Sequence, residues 1–174
     1  MARAVLGLLL LLLIAPSAVL ARKRASQSSG CVKSTLPGYT SAVDLNGKGL
    51  MFHWKVSGST LSAAVQTTSN KGSVSVGFSK GGKMFPADVV TGYSGGAVKA
   101  YKLTGYSGGT ASKVKASGIS STTFKFTRSG NDGTVPINYA GSNTLIWAYG
   151  TSNKKLTDHG KNRGSKSVDL TCVG

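Results

Sequence analysis

The chain has 174 residues, and its 21 lysine and arginine residues outnumber five acidic ones, which gives a net charge of +16. All five acids are aspartate, and there are only two histidines, two cysteines and three methionines. These counts exclude a glycosidase with a pair of glutamates, a zinc site with three histidines, and a zinc or iron–sulfur site with four thiolates. The remaining chemistry must come from very few side chains, from the backbone or from a bound cofactor.

Residues 1–21 have the features of a secretory signal peptide. Arg3 supplies a positive charge, residues 6–14 form an apolar run, and small residues lead to a cleavage position after Ala21. The apolar run is far short of the roughly 20 residues that span a bilayer. We therefore expect a secreted, extracellular protein without a transmembrane anchor, with an uncleaved anchor as the alternative. Loss of Arg3 reduces the net charge to +15.

A basic, flexible leader is expected at residues 22–30, followed by a single domain at residues 31–174. Cys31 and Cys172 lie near the two ends of this domain. In an oxidising compartment they are expected to form a disulfide, and two free thiols are the alternative.

The apolar residues of the domain alternate with polar ones in short runs that are separated by glycine-rich turns. This pattern predicts an all-β fold, an antiparallel β-sandwich of about nine to eleven short strands. A continuous apolar run at residues 145–149 predicts a strand that is buried on both faces, and the last strand is expected at residues 168–172. The other strands are expected at residues 50–56, 61–65, 74–78, 89–93, 98–103 and 123–128.

Two loops contain residues that could bind a metal. Met84 follows a glycine and lysine loop, and His159 lies between the buried strand and the last strand. The alternatives without metal binding are a methionine that fills a gap under its loop and a histidine that is solvated. A thioether and an imidazole together suit the haem iron of electron-transfer cytochromes, and the absence of a Cys-x-x-Cys-His motif implies a non-covalent, b-type haem. His53 and Met51 lie in a predicted strand and are interpreted as structural or surface residues.

Five short motifs in this order resemble the DOMON family, over nearly the whole domain from about Leu50 to Leu170. They are Gly77-Phe78, Met84 in the following loop, Ala87-Asp88-Val89-Val90, Ile146-Trp147-Ala148-Tyr149-Gly150, and His159 followed by Arg163-Gly164. The sequence departs from the family pattern at Ser73, where an aromatic residue is common, and in its density of lysine.

The resemblance implies an extracellular, immunoglobulin-like β-sandwich. Haem-binding members of the family include the cytochrome domain of cellobiose dehydrogenase and secreted plant b-type cytochromes, in which a loop methionine and a late histidine ligate the iron. Carried over to this sequence, the ligands are Met84 and His159 and the cofactor is haem b. Other members are not defined by this ligand pair, and some are thought to bind sugars.

Further residues near these motifs are candidates for cofactor binding. Phe78, Phe85, Trp147 and Tyr149 are expected as walls of the haem site, although each also suits a hydrophobic core. Lys83, Lys161 and Arg163 are expected to pair with the haem propionates, and a solvated basic rim is the alternative.

The sequence thus predicts a secreted b-type cytochrome that transfers electrons without being an enzyme. Its redox partner is expected to be a small reductant or an acidic protein. The alternative is a haem-free module that binds an acidic polysaccharide of the cell wall, which the charge of +15 favours. Nucleic-acid binding is not expected, because it has only the basic charge in its favour.

Overall fold

The computed structural model describes residues 30–106, 108–130, 132–156 and 159–174. The expected signal peptide at residues 1–21 and the leader, apart from Gly30, lie outside the described residues. These ranges form two antiparallel sheets of six strands each. The first sheet has the order β1-β2-β3-β4-β10-β9, and the second has the order β12-β11-β5-β6-β7-β8.

The strand bounds are β1 (Val32–Lys33), β2 (Ser41–Asp44), β3 (Met51–Ser57), β4 (Thr60–Gln66), β5 (Ser73–Ser79), β6 (Ala87–Tyr93), β7 (Val98–Leu103), β8 (Gly109–Ala111), β9 (Lys115–Ser120), β10 (Thr123–Ser129), β11 (Ser142–Gly150) and β12 (Arg163–Asp169). The all-β sandwich is therefore confirmed. The described residues form twelve strands where nine to eleven were expected, because β1 and β8 are edge strands of only two and three residues.

The core lies between the two sheets and is formed by the inward side chains of alternating strand residues. In the first sheet these include Phe52, Trp54 and Phe126, and in the second sheet they include Val76 and Leu145. Each of these side chains is at most 4% exposed. Burying such large apolar groups contributes on the order of 1.5–3 kcal/mol each, so this layer is the main source of stability.

Two predictions about single strands were wrong. Strand β11 is not buried on both faces, since Ile146 and Trp147 are only half-buried next to an open hollow. The last strand lies at Arg163–Asp169, before the predicted residues 168–172. It ends there because the Asp169 carboxylate accepts hydrogen bonds from the amide and hydroxyl of Thr171, and the Cys172 amide donates to the Asp169 carbonyl, which turns the chain.

The predicted disulfide between Cys31 and Cys172 is present, with the two Cα atoms 6.4 Å apart. It joins the segment before β1, at the edge of the first sheet, to the segment after β12, at the edge of the second. His53 is a buried residue of the first sheet, and its Nδ1 atom lies 2.9 Å from Ser34 Oγ. In the described part of the chain, no helix has the length and hydrophobicity needed to cross a membrane.

Candidate cofactor cavity

The outer face of the second sheet has a floor of small side chains. Strand register places Gly77 of β5 between Val89 of β6 and Ile146 of β11. Two residues further along these strands, Ser75 and Ala148 are paired and face outwards as well. A Cβ atom at Gly77 would meet the backbone of Asp88 and come within 2.6 Å of Val89 Cα, so only glycine fits there. The small side chains of two adjacent strands, β5 and β11, therefore leave a hollow on the side of the sheet away from the core.

Loops border this hollow and form with it an open cavity of about 770 Å³. This volume is in the range of cofactor and small-molecule sites, about 300–1,000 Å³. Much of the lining is apolar, and Ala87, Val89 and Leu103 form a small separate cluster on this side of the sheet. The cavity is lined by Ser75, Gly82, Lys83, Met84, Phe85, Val89, Leu103, Tyr106, Gly108, Ile146, Trp147, Ala148, Leu156, His159, Arg163, Gly164 and Ser165.

Met84 and His159 both line this cavity, although they are 75 positions apart in the sequence. The Met84 loop turns through Gly81 and Gly82, whose φ angles of 96° and 76° disfavour any other residue. Met84 then packs against the apolar cluster of the sheet's outer face. The fold thus brings the one thioether and the one imidazole that the sequence singled out to a common space.

The His159 loop connects β11 to β12. It reaches the same cavity from the end of the strands that is opposite to the Met84 loop. A turn tightens this loop, in which the Asn162 amide donates to the His159 carbonyl at 2.8 Å. Gly160 lies within the turn and has a φ of 51°. Asn162 in turn accepts a hydrogen bond at its carbonyl from the Tyr149 amide, which attaches the loop to β11.

Four of the seven residues expected around the cofactor also line the cavity. Phe85 and Trp147 form part of its walls. Lys83 and Arg163 are the two expected basic residues in the lining, and both are exposed. Trp147 lies across Gly164, where a Cβ atom would be 2.6 Å from the indole ring. The absence of a side chain at Gly164 therefore makes room for the indole.

The other three expected residues lie elsewhere. Phe78 points into the core, where it is 2% exposed and the Arg128 guanidinium lies 5.3 Å from the centre of its ring. Tyr149 packs against the core, and its hydroxyl lies 3.1 Å from Thr67 Oγ1. Lys161 is exposed on the loop after His159 and is not among the cavity-lining residues described. Both Phe78 and Tyr149 therefore pack on the core side of the sheet and are not among the cavity-lining residues.

The cavity includes residues that the sequence did not single out. Tyr106 is 83% exposed at the cavity, and its ring meets that of Phe85 edge-on with 4.6 Å between the centroids. Leu103, Ile146 and Leu156 add apolar surface. Only the outward position of Ile146, one residue from Leu145, could have been expected from alternation once the register was known.

A buried ion pair lies behind the cavity floor. Asp88 Oδ2 is 3.0 Å from an Arg128 nitrogen, and both side chains are at most 3% exposed. The same carboxylate accepts hydrogen bonds from the amides of Thr134 and Val135, at 3.0 and 2.7 Å. The pair crosses from the first sheet to β6 of the second sheet, and it fixes the strand whose outward residue Val89 forms part of the floor.

The donor atoms and the volume of this cavity suit a haem group. A soft thioether and an imidazole are available at its walls, the floor is apolar or small, and Lys83 and Arg163 can meet acidic substituents. In the described ranges, no group of three or more His, Cys, Asp or Glu residues could hold a bare metal ion.

Comparison with known proteins identifies the fold. No family model and no curated protein sequence match the chain. Among solved structures, it is similar to the crystal structure of the cytochrome b domain of pyranose dehydrogenase from Coprinopsis cinerea. The TM-score is 0.59 at 13% sequence identity, and the match covers 82% of this chain and 88% of that chain. The chain therefore has the same overall fold as that domain. At this identity the likeness defines the fold and leaves the ligand open.

Proposed function

We propose that this protein is a secreted, single-domain b-type cytochrome of the DOMON family, with Met84 and His159 as the axial ligands of haem b. The observation that supports this most directly is that one cavity, on a cytochrome b-like fold, has both side chains at its walls. Neither residue alone is a specific signal. Because both side chains line one cavity of cofactor size, the alternatives of a gap-filling methionine and a solvated histidine explain their positions poorly.

In this proposal the surrounding residues bind and shield the cofactor. Bound haem supplies reversible one-electron chemistry, and with both axial positions occupied by side chains it does so by outer-sphere transfer. Val89, Leu103 and Ile146 exclude water from the floor, which favours the less charged redox state. Lys83 and Arg163 hold the propionates by charge-assisted hydrogen bonds.

Outer-sphere transfer also explains why the domain needs no catalytic side chains, and we therefore propose an electron-transfer protein and not an enzyme. The disulfide is consistent with an oxidising, extracellular location. At the cavity Tyr106 is exposed and Phe85 is half-buried, and a small reductant or an acidic protein could approach there.

The test is an absorption spectrum of the secreted protein, reconstituted with haem, in the oxidised and reduced states. We expect sharp Soret and α bands on reduction. Met84→Leu should lose the low-spin spectrum and lower the reduction potential, because a thioether ligand raises it. His159→Gln should weaken haem retention. Met51→Leu is the matched control, since Met51 lies in the first sheet, outside the cavity, and it should leave the spectrum unchanged.

An absence of these bands, or an unchanged spectrum in Met84→Leu, would contradict the proposal. A protein that is purified and folded without pigment, and that cannot be loaded with haem, would instead favour the haem-free module for acidic polysaccharide.

A further inference from the structure

The outer face of the first sheet, opposite the cavity, presents a row of lysines and hydroxyls. Register places Lys55, Ser62, Thr127 and Lys115 side by side on strands β3, β4, β10 and β9. Lys125 lies two residues from Thr127 on β10, so its side chain points to the same face. All three lysines are exposed. We call this surface the lysine face; it consists of Lys55, Ser62, Lys115, Ser117, Lys125 and Thr127.

Strand geometry sets the spacing of these charges. Neighbouring strands are about 4.8 Å apart and residues on one face recur about every 6.8 Å along a strand. The three lysines therefore form a triangle with Cα separations of about 8, 12 and 14 Å. The residues between them on these strands include the hydroxyl-bearing Ser62, Ser117 and Thr127, so an extended polymer that crosses the strands can contact all three lysines.

Two aspartates at or just beyond the ends of strands of the first sheet, Asp44 and Asp132, are engaged in their own turns. Asp132 accepts hydrogen bonds from the Ser129 amide and hydroxyl at 2.9 and 2.7 Å, and these bonds lower its pKa, with Lys115 adding a smaller effect. Asp44 accepts from the amides of Gly47 and Gly49 at 2.9 and 2.8 Å. Both carboxylates stay ionised at neutral pH and offset part of the positive potential, while the lysine face itself contains three lysines and no acidic residue.

We propose that the lysine face binds a linear acidic polysaccharide, such as a polyuronate, and attaches the protein to it while the cavity stays accessible. Lysine ammonium groups act as point charges on flexible stems, which suits carboxylates at irregular spacing. The hydroxyls between them match the hydroxyls of a sugar chain. The outward residues of β9 and β10 include no aromatic ring on which a nucleic-acid base could stack.

The experiment measures binding of the mature chain to immobilised polygalacturonate, with elution by sodium chloride. The test variant is Lys55→Gln/Lys115→Gln/Lys125→Gln. The matched control is Lys48→Gln/Lys71→Gln/Lys99→Gln, which removes the same charge from exposed lysines outside the lysine face. We expect the test variant to bind about tenfold or more weakly and to elute at lower salt, and the control to change by less than about threefold.

Three results would overturn the proposal. The two triple variants could weaken binding equally, which would mean that only net charge matters. The test variant could bind as tightly as the parent. The test variant could also retain polygalacturonate binding and lose binding to another polyanion. Loss of polyglutamate binding would assign the face to an acidic protein, and loss of binding to phosphatidylserine vesicles would assign it to a membrane.

The measurement does not depend on the cofactor. It is made with and without haem, and Met84→Leu should bind polygalacturonate like the parent. Failure of the cytochrome proposal would therefore leave this result unaffected. Retention of the disulfide and of the thermal transition shows that each variant is folded.

Discussion

Removing the charge of Asp88 tests whether the ion pair behind the cavity floor supports the fold. In Asp88→Asn the Arg128 guanidinium stays buried, at 1% exposure, without its counterion. Loss of one partner from a buried pair costs about 3–5 kcal/mol. Two backbone amides, those of Thr134 and Val135, also lose a charged acceptor. Out of a typical stability of about 5–15 kcal/mol this is a large fraction, and it corresponds to a fall in Tm of roughly 10–15 °C.

The assay is urea unfolding of the parent, Asp88→Asn, Arg128→Met and the double variant, which together form a thermodynamic cycle. We expect the double variant to be about 2–3 kcal/mol more stable than the sum of the single effects, because neither charge is then left alone. Asp132→Asn is a control aspartate near the surface and should lower Tm far less. A loss under about 1 kcal/mol in Asp88→Asn, or additive single effects, would refute the reasoning.

Three further predictions concern the floor, the buried histidine and the disulfide. Gly77→Ala should weaken haem retention in a titration and destabilise the protein by about 1–3 kcal/mol, since a Cβ atom there meets the neighbouring strand, whereas Gly95→Ala, in open space, should do neither. Burial lowers the pKa of His53, so the unfolded state gains the proton first, and stability to urea should fall as pH drops below about 6.5; His53→Gln should flatten this dependence. Cys31→Ser/Cys172→Ser should lose up to about 4–5 kcal/mol and make unfolding insensitive to a reductant.

The sequence predicted the fold class and singled out Met84 and His159, which the fold brings to one cavity, but it could not predict which aromatic residues line that cavity. Phe78 and Phe85 are both close to Met84 in the sequence. Phe78 belongs to a strand whose alternation directs its side chain into the core, whereas Phe85 belongs to the loop. Alternation defines two faces without saying which one is the core. That choice depends on the pairing of β5 with β6 and β11, which involves long-range contacts.

The buried ion pair left a signal in the sequence that could have been used. Phe124, Phe126 and Arg128 share one face of β10, so the alternation that predicts the core also places Arg128 within it. A buried arginine requires a counterion, and Asp88 is the aspartate directly before the predicted apolar strand at residues 89–93. Strands β1, β2, β8 and β9 gave no comparable signal. Strand β9 has five exposed residues of six, and its pairing with β10 is decided by its neighbour.

The two outer faces of the sandwich differ in a way that separates their proposed roles. On the second sheet, Ser75, Gly77 and Ala148 are small outward residues of the central strands and leave room for a bound group. On the first sheet, long lysine side chains already reach into water, so binding there needs only a polyanion. Because the core separates the two faces by the thickness of both sheets, about 10 Å, changes on one should leave the other energetically independent. A cofactor site and an attachment site can therefore coexist in one small domain.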